Sequence, residues 1–418
     1  SRDPRALVGD SPSATRVGRT ATTRETRFLM SQRPQSPHEA ELVARATALQ
    51  PMVRKAADEA ERERRLPAEV ARAMAKAGLY RVSAPHSFQG AEASPRTQIE
   101  VIEAISYADG AAGWNLMIGI ESFGLVSLGF PKGAELFSDP LAILSSSTAA
   151  FGRAELVEGG YEVSGDWQFV SGVHNCTWFG GLSVVHENGE PKVGVPPIFP
   201  VMSASDIEII DAWNVSGLRG SGSHDVKVHK AFVPTDQAAQ FGTPAKMESP
   251  LNRIPSGSRL AYNKVGVGFG IARAAIDHFL DLAHDKLPRF SGAKLRERPT
   301  AQRAVAMAEA RLRGARAFVF EAVDEAWDAA LSERHMTPRE RALLQIACSD
   351  SAQACAEAVD IIAETAGTTA NQLDSPLERH ARDVRVIRQH MTVALHHIDD
   401  AGRVLLGLDP QGLMLSMA

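Results

Sequence analysis

Two stretches decide how this chain is read: Trp167-Gln168-Phe169-Val170-Ser171-Gly172 and, further along, Gly217-Leu218-Arg219-Gly220-Ser221-Gly222-Ser223-His224-Asp225. Alternate side chains of a strand share a face. The first stretch therefore predicts Trp167, Phe169 and Ser171 on one wall. Two aromatic planes and a hydroxyl suit a flat heterocycle with a polar edge. The second stretch puts an arginine and small hydroxyl residues in a glycine-rich bend, where backbone N–H groups can approach a phosphate. Together they point to a flavin rather than a nicotinamide. The nearest approach to a dinucleotide fingerprint, Gly266-x-Gly268-x-Gly270, lies within a helical pattern and better suits close helix packing.

Working outward, the pattern falls into three blocks. Residues 1–36 are rich in Arg, Ser and Thr without apolar periodicity, and are expected to form a disordered tail or extension. Residues 37–144 read as a helical domain. Its helices are Ala40–Arg65, Ala68–Gly78, Ser94–Tyr107 and an apolar, buried Ala111–Gly129. Residues 145–238 change to strand alternation, with hairpins about Gly159-Gly160 and Asn188-Gly189. They predict an antiparallel β-barrel or sandwich. Residues 256–418 return to long helical pieces, Leu260–Lys286, Thr300–Leu331, Pro338–Gly367 and Leu377–Leu406, as in an up-down four-helix bundle. The fold class is α+β.

The bulk numbers remove several functions. Of 418 residues, 44% are hydrophobic and 23% charged, ordinary for a globular protein. A net charge of -5 gives no footprint for nucleic acid. No apolar run reaches the roughly 18 residues of a membrane span. Three cysteines (Cys176, Cys348, Cys355) make no disulfide framework and suit the cytoplasm. No His-x-x-x-His pair comes with a carboxylate partner, no Cys pair has metal-ligand spacing, and Ser171 has no plausible triad.

The order helical block, small β-domain, helical bundle resembles the acyl-CoA dehydrogenase superfamily. The residues carrying the likeness are Trp167-x-Phe169-x-Ser171-Gly172, Trp213-x-x-Ser216-Gly217-Leu218-Arg219-x-Ser221-Gly222-Ser223, Glu364-Thr365-Ala366-Gly367-Thr368, and Arg382-Asp383-Val384 with His390. Within it the chain looks like the flavin-dependent hydroxylases, the oxygenase components of two-component aromatic monooxygenases. The resemblance implies an isoalloxazine between β-domain and bundle, of FMN or FAD, beside Trp167, Phe169 and Ser171. It implies Ser146, Ser147 and Thr148 approaching from a preceding loop, and Arg219, Ser221 and Ser223 at the phosphate end or the far ring edge. It further implies a homotetramer in which another subunit contributes Arg289, Gln302, Gly367 and Thr368.

The last helix separates two chemistries. Many family dehydrogenases carry a glutamate base nine positions after the arginine of the Arg-Asp pair. Here that position is Met391, whose thioether is no base, preceded by His390. On a continuous helix Asp383 and His390 would project from one side, about 10 Å apart. An imidazole facing a flavin can serve as acid or base near neutrality. With Ser171 at the peroxide region, the resemblance then implies aromatic hydroxylation through a C4a-hydroperoxyflavin, O2 being the oxidant. Reduced flavin would come from a separate NAD(P)H flavin reductase. The alternative is an FAD-dependent acyl-CoA dehydrogenase with a displaced base. Trp114, Asn115, His86, His224 and Met391 are the candidate substrate contacts.

Overall fold

The computed structural model describes residues 36–126, 133–240 and 249–416. The expected tail falls almost wholly outside them, as does the end of the helix expected to reach Gly129.

Helix α1 (Pro37–Glu63) starts where its sequence dictates. Ser36 accepts from the Glu39 N–H, Glu39 returns to the Ser36 N–H, and Pro37 fills the first position. After α2 (Ala68–Lys76), α3 (Pro95–Ala108) is capped by Ser94. Helix α4 (Gly110–Val126) is buried along nearly its whole length, the place for a helix that is apolar all round. Its polar exceptions are Asn115, Glu121 and Ser122, all buried. A single turn, α5 (Gly133–Leu136), leads into the sheet.

Strands β1 (Leu144–Val157) and β2 (Gly160–Val170) form the hairpin expected about Gly159, whose φ of +80° needs glycine. Strands β3 (Trp178–Glu187) and β4 (Glu190–Pro191) turn at Asn188 and Gly189, both at positive φ. The remaining strands are β5 (Ile198–Ser203), β6 (Glu208–Ile210), β7 (His224–Pro234) and β8 (Ala238–Gln240). Their order is β6-β7-β2-β1-β3-β5-β8, with β4 beside β3. The purely antiparallel barrel is corrected on two points. Strand β3 crosses over to pair with β1 in parallel, so the sheet is mixed. The path also ends at two three-residue strands, β6 and β8, with no pairing between them among the described residues.

The bundle has three long helices, α6 (Ser256–Asp285), α7 (Pro299–Leu331) and α8 (Pro338–Ala366). The expected fourth is broken into α9 (Pro376–Ile387) and α10 (His397–Leu405), with a final turn α11 (Leu413–Ser416). His390 therefore stands in a turn rather than on a helix, and the common face with Asp383 is not formed. The cause is local competition for backbone donors. The Thr392 N–H goes to His390 Nδ1 at 3.3 Å, and Gln345 Nε2 on α8 holds the Thr392 carbonyl at 2.9 Å.

Helices α6 and α9 meet through a histidine pair, His278 Nδ1 lying 3.0 Å from His380 Nε2 with the rings stacked at 14°. Burial, then His278 and Arg379, push the His380 pKa down to about 3. Burial and Arg54 also lower His278. An unfolded histidine binds its proton near pH 6.5. The pair's stabilisation is thus complete above that pH and drains away as the pH falls toward 3. Buried Asp383, raised to about 7, works in the opposite sense. The thermal midpoint of wild type minus that of His380→Phe isolates the pair. That difference should shrink or reverse between pH 7 and 4.5; a pH-independent difference contradicts this account.

Candidate functional site at the helix-sheet junction

Strand β2 ends in a bulge. Its pairing with β7 slips between Trp167 and Val170, and Phe169 sits at φ +60°, unusual for a bulky residue. The Asp225 carboxylate holds the Phe169 N–H at 3.2 Å. The slip breaks the shared face. Trp167 is fully buried inside the sheet, donating to the Leu182 carbonyl at 3.1 Å and packed edge-on to Phe179. A Cβ at Gly152 or Gly181 would strike its ring. The expectation of Trp167 as a wall of the cofactor site is thereby corrected to a core role. Phe169 is 67% exposed, its ring edge-on to Trp213.

Ser171 faces the other way, into the junction. Trp114 on α4 donates its indole N–H to Ser171 Oγ at 2.9 Å. Ser171, Ser223 and Ser221 then form a hydroxyl chain with two 2.7 Å contacts. Gly172 seals the turn: its N–H bonds the Ser221 carbonyl, and a Cβ there would stand 2.5 Å from Asn115 Oδ1. Three hydroxyls sharing two contacts leave one O–H to spare. If the chain runs from Ser221 toward Ser171, that proton is Ser171's, while Ser171 accepts from both Trp114 and Ser223.

His390 lies edge-on to Trp114, ring centroids 5.3 Å apart. A backbone N–H can only donate, so Nδ1 accepts from Thr392 and the neutral ring carries its proton on Nε2. Burial first, and the Lys264 ammonium second, hold its pKa well below the usual histidine value. Lys264 on α6 stands 5.9 Å over the Trp114 ring and is ion-paired with Glu121 on α4, both almost fully buried. Burial pushes Lys264 down and Glu121 up, and their contact pulls each back. The sequence reading missed this pair. The available signal was Glu121 itself, the one charge in an otherwise uncharged apolar helix.

The other expected residues are spread over several elements. Arg219 is engaged by Glu61 and the Val215 carbonyl, which points it to α1 rather than to a phosphate. Ser146, Ser147 and Thr148 belong to β1, not to a loop; Ser146 bonds Ser122 of α4, Ser147 is buried and Thr148 exposed. Asn115 gives its amide N–H to the Ala111 and Gly220 carbonyls, tying α4 to the serine loop. His224 is a buried tether between the Trp213 N–H and the Arg64 carbonyl. His86 lies exposed on a short turn, and Met391 is 52% exposed beside His390. Arg289 and Gln302 are exposed. Gly367 lines a separate cavity of about 550 Å³ with Glu364, Arg382 and Arg385; Thr368 is exposed next to it.

Helices, mixed sheet and helices again, with a serine–tryptophan–histidine cluster where they meet, define an acyl-CoA dehydrogenase-type architecture. Residues 38–129 match the acyl-CoA dehydrogenase N-terminal domain, and residues 264–394 the C-terminal domain. The indole-3-acetate monooxygenase of Pseudomonas putida is 32% identical over 353 residues, 84% of this chain and 90% of that protein. The FADH(2)-dependent resorcinol hydroxylase oxygenase component of a Rhizobium species is 27% identical over 410 residues, 92% of this chain and 99% of its own length. XiaF from Streptomyces, solved with FADH2 and glycerol, superposes with a TM-score of 0.81 at 26% identity, over 90% of this chain and 97% of XiaF. The chain belongs to the acyl-CoA dehydrogenase family, and the relatives it resembles within it are oxygenase components of flavin-dependent monooxygenases. Among the described residues no helix is long and apolar enough to cross a membrane.

The junction fits a flavin. The serine chain has one spare proton for a polar ring edge, and Trp114 and His390 border it with aromatic surface.

Proposed function

We propose that this protein hydroxylates an aromatic or heteroaromatic small molecule. In this reading it uses reduced FMN or FAD delivered by a separate NAD(P)H-dependent reductase. One observation carries the proposal: His390, not a carboxylate, lies edge-on to Trp114, whose indole N–H bonds Ser171. The bound flavin supplies oxygen activation. The chain's own residues do the rest. Phe169 stacks against the ring system, and Ser171, with its proton set by Ser223 and Ser221, holds the ring edge. Trp114 fixes the Ser171 hydroxyl and, with Met391, borders the substrate. His390 presents a proton from Nε2 to oxygen on the substrate side. Burial of Trp114, Ser171 and Ser223 excludes water, which suppresses loss of oxidising equivalents as peroxide. Arg289, Gln302, Gly367 and Thr368 complete the cofactor site of another copy in a homotetramer. The three buried free thiols suit a cytoplasmic setting.

A second reading, dehydrogenation of an acyl thioester, gains one observation: Glu121 is a buried carboxylate with a raised pKa. Its ion pair with Lys264 works against it as a base.

One experiment separates the two. Chemically reduced flavin, oxygen and a panel including indole-3-acetate and resorcinol are mixed with the protein, and product and hydrogen peroxide are counted per flavin consumed. Coupled hydroxylation is expected. His390→Asn and Ser171→Ala should each lower product yield about 100-fold and raise peroxide. Anaerobic bleaching of bound flavin by an acyl-CoA, with no aromatic product, would sink the monooxygenase reading.

A further inference from the structure

Beyond the Lys264–Glu121 pair, α4 and α6 enclose a second polar space. It is a cavity of about 10 Å³ bordered by Ile120, Glu121, Arg259, Leu260 and Asn263. That is room for one water or one small polar group. Two side-chain oxygens at its wall are fully covered and have no hydrogen-bond partner: Glu121 Oε1 and Asn263 Oδ1. Glu121 is 7% and Asn263 2% exposed. A buried polar atom left unpaired is costly, so two unpaired acceptors at one small cavity call for a donor.

The charges narrow the choice. Arg259 and Lys264 are cations and Glu121 is their one carboxylate neighbour, so a second ammonium is disfavoured. A carboxylate would set its lone pairs against those of both orphan oxygens. A neutral hydroxyl or N–H satisfies both constraints. Trp114 and Glu121 lie seven residues apart on α4, nearly two turns, so they share a side about 10 Å apart along the axis. Lys264 reaches both. Consecutive contacts thus link Ser171 to Trp114, Trp114 to Lys264 and Lys264 to Glu121 at this cavity.

We propose that this enclosure is the far end of the substrate pocket and binds a neutral hydrogen-bond donor. The substrate is then an extended aromatic, bicyclic or longer, with a hydroxyl or N–H remote from the carbon that is oxidised. The proposal rests on the monooxygenase reading of the same site.

The test uses three naphthalenes with the full-length protein: 2,6-dihydroxynaphthalene, 6-methoxy-2-naphthol and 2-naphthol. Equilibrium dialysis gives their affinities. The diol should bind about 10- to 100-fold more tightly than the ether. Asn263→Leu should cut that ratio, and the pair replacement Lys264→Met/Glu121→Leu should bring it near one. Equal affinities in wild type, a ratio untouched by both variants, or no binding by any of the three overturns the subsite. Oxidation assays on the same compounds keep the two readings apart. A diol preference without any hydroxylation sinks the monooxygenase reading alone; hydroxylation without a diol preference sinks the subsite alone.

Discussion

Lys264→Met should lose about 3–5 kcal/mol of folding stability, seen as a lower denaturant midpoint, because it strands Glu121 in the interior without its partner. Lys264 is 1% and the Glu121 side chain 6% exposed, so water cannot take over. The companion variant Lys264→Met/Glu121→Leu should recover most of the loss, since replacing a whole buried pair with apolar residues is often neutral. The pH dependence gives a second signature. Burial already raises the Glu121 pKa in the native protein, and removing the ammonium raises it further. A folded pKa above the unfolded value means stability that is complete at low pH and lost as pH rises through the folded pKa. The deficit of Lys264→Met should therefore be smallest in mild acid and grow toward neutrality. A deficit that stays constant with pH, or a double variant no better than the single, contradicts the buried-pair account.

How much of this was legible in the sequence depends on whether the cause was local. The hairpin at Gly159 follows from neighbouring residues and forms as read, whereas the cap at Ser36, equally local, starts α1 three residues before the expected Ala40. The parallel pairing of β1 with β3 does not, because it joins strands separated by the whole of β2 and is decided by packing. The bulge at Phe169 carries no glycine to announce it. One residue at positive φ turned a three-residue wall into a core tryptophan, an exposed phenylalanine and an inward serine. The break before α10 contains neither proline nor glycine; it comes from His390 and Gln345 capturing the backbone of Thr392. The pattern still marked Ser171, Ser221, Ser223, Trp114 and His390, which do converge. It overlooked Lys264, whose partner on α4 is 143 positions away.

Gly217→Ala should uncouple the serine loop from the bundle and weaken flavin binding at least 10-fold, with about 1–3 kcal/mol of stability lost to overpacking. An added Cβ would stand 2.4 Å from the Arg382 carbonyl oxygen and 2.7 Å from its carbon, and neither can move without shifting α9. The contact matters because the next residue is the loop's anchor. Leu218, at φ +52°, donates its N–H to buried Asp383 at 2.6 Å, and Trp213 closes the loop by donating to the Leu218 carbonyl. Three and five residues on come Ser221 and Ser223, whose hydroxyls fix Ser171. A displacement at Gly217 therefore reaches the cofactor edge through a short, bonded path. Gly314→Ala is the control: it lies within α7, its Cβ would meet nothing within 4 Å, and the change should slightly stabilise the helix. Fluorescence titration with FMN and FAD reads the first effect and thermal unfolding the second. If Gly217→Ala binds flavin like Gly314→Ala, the loop is not what holds Ser171 in register.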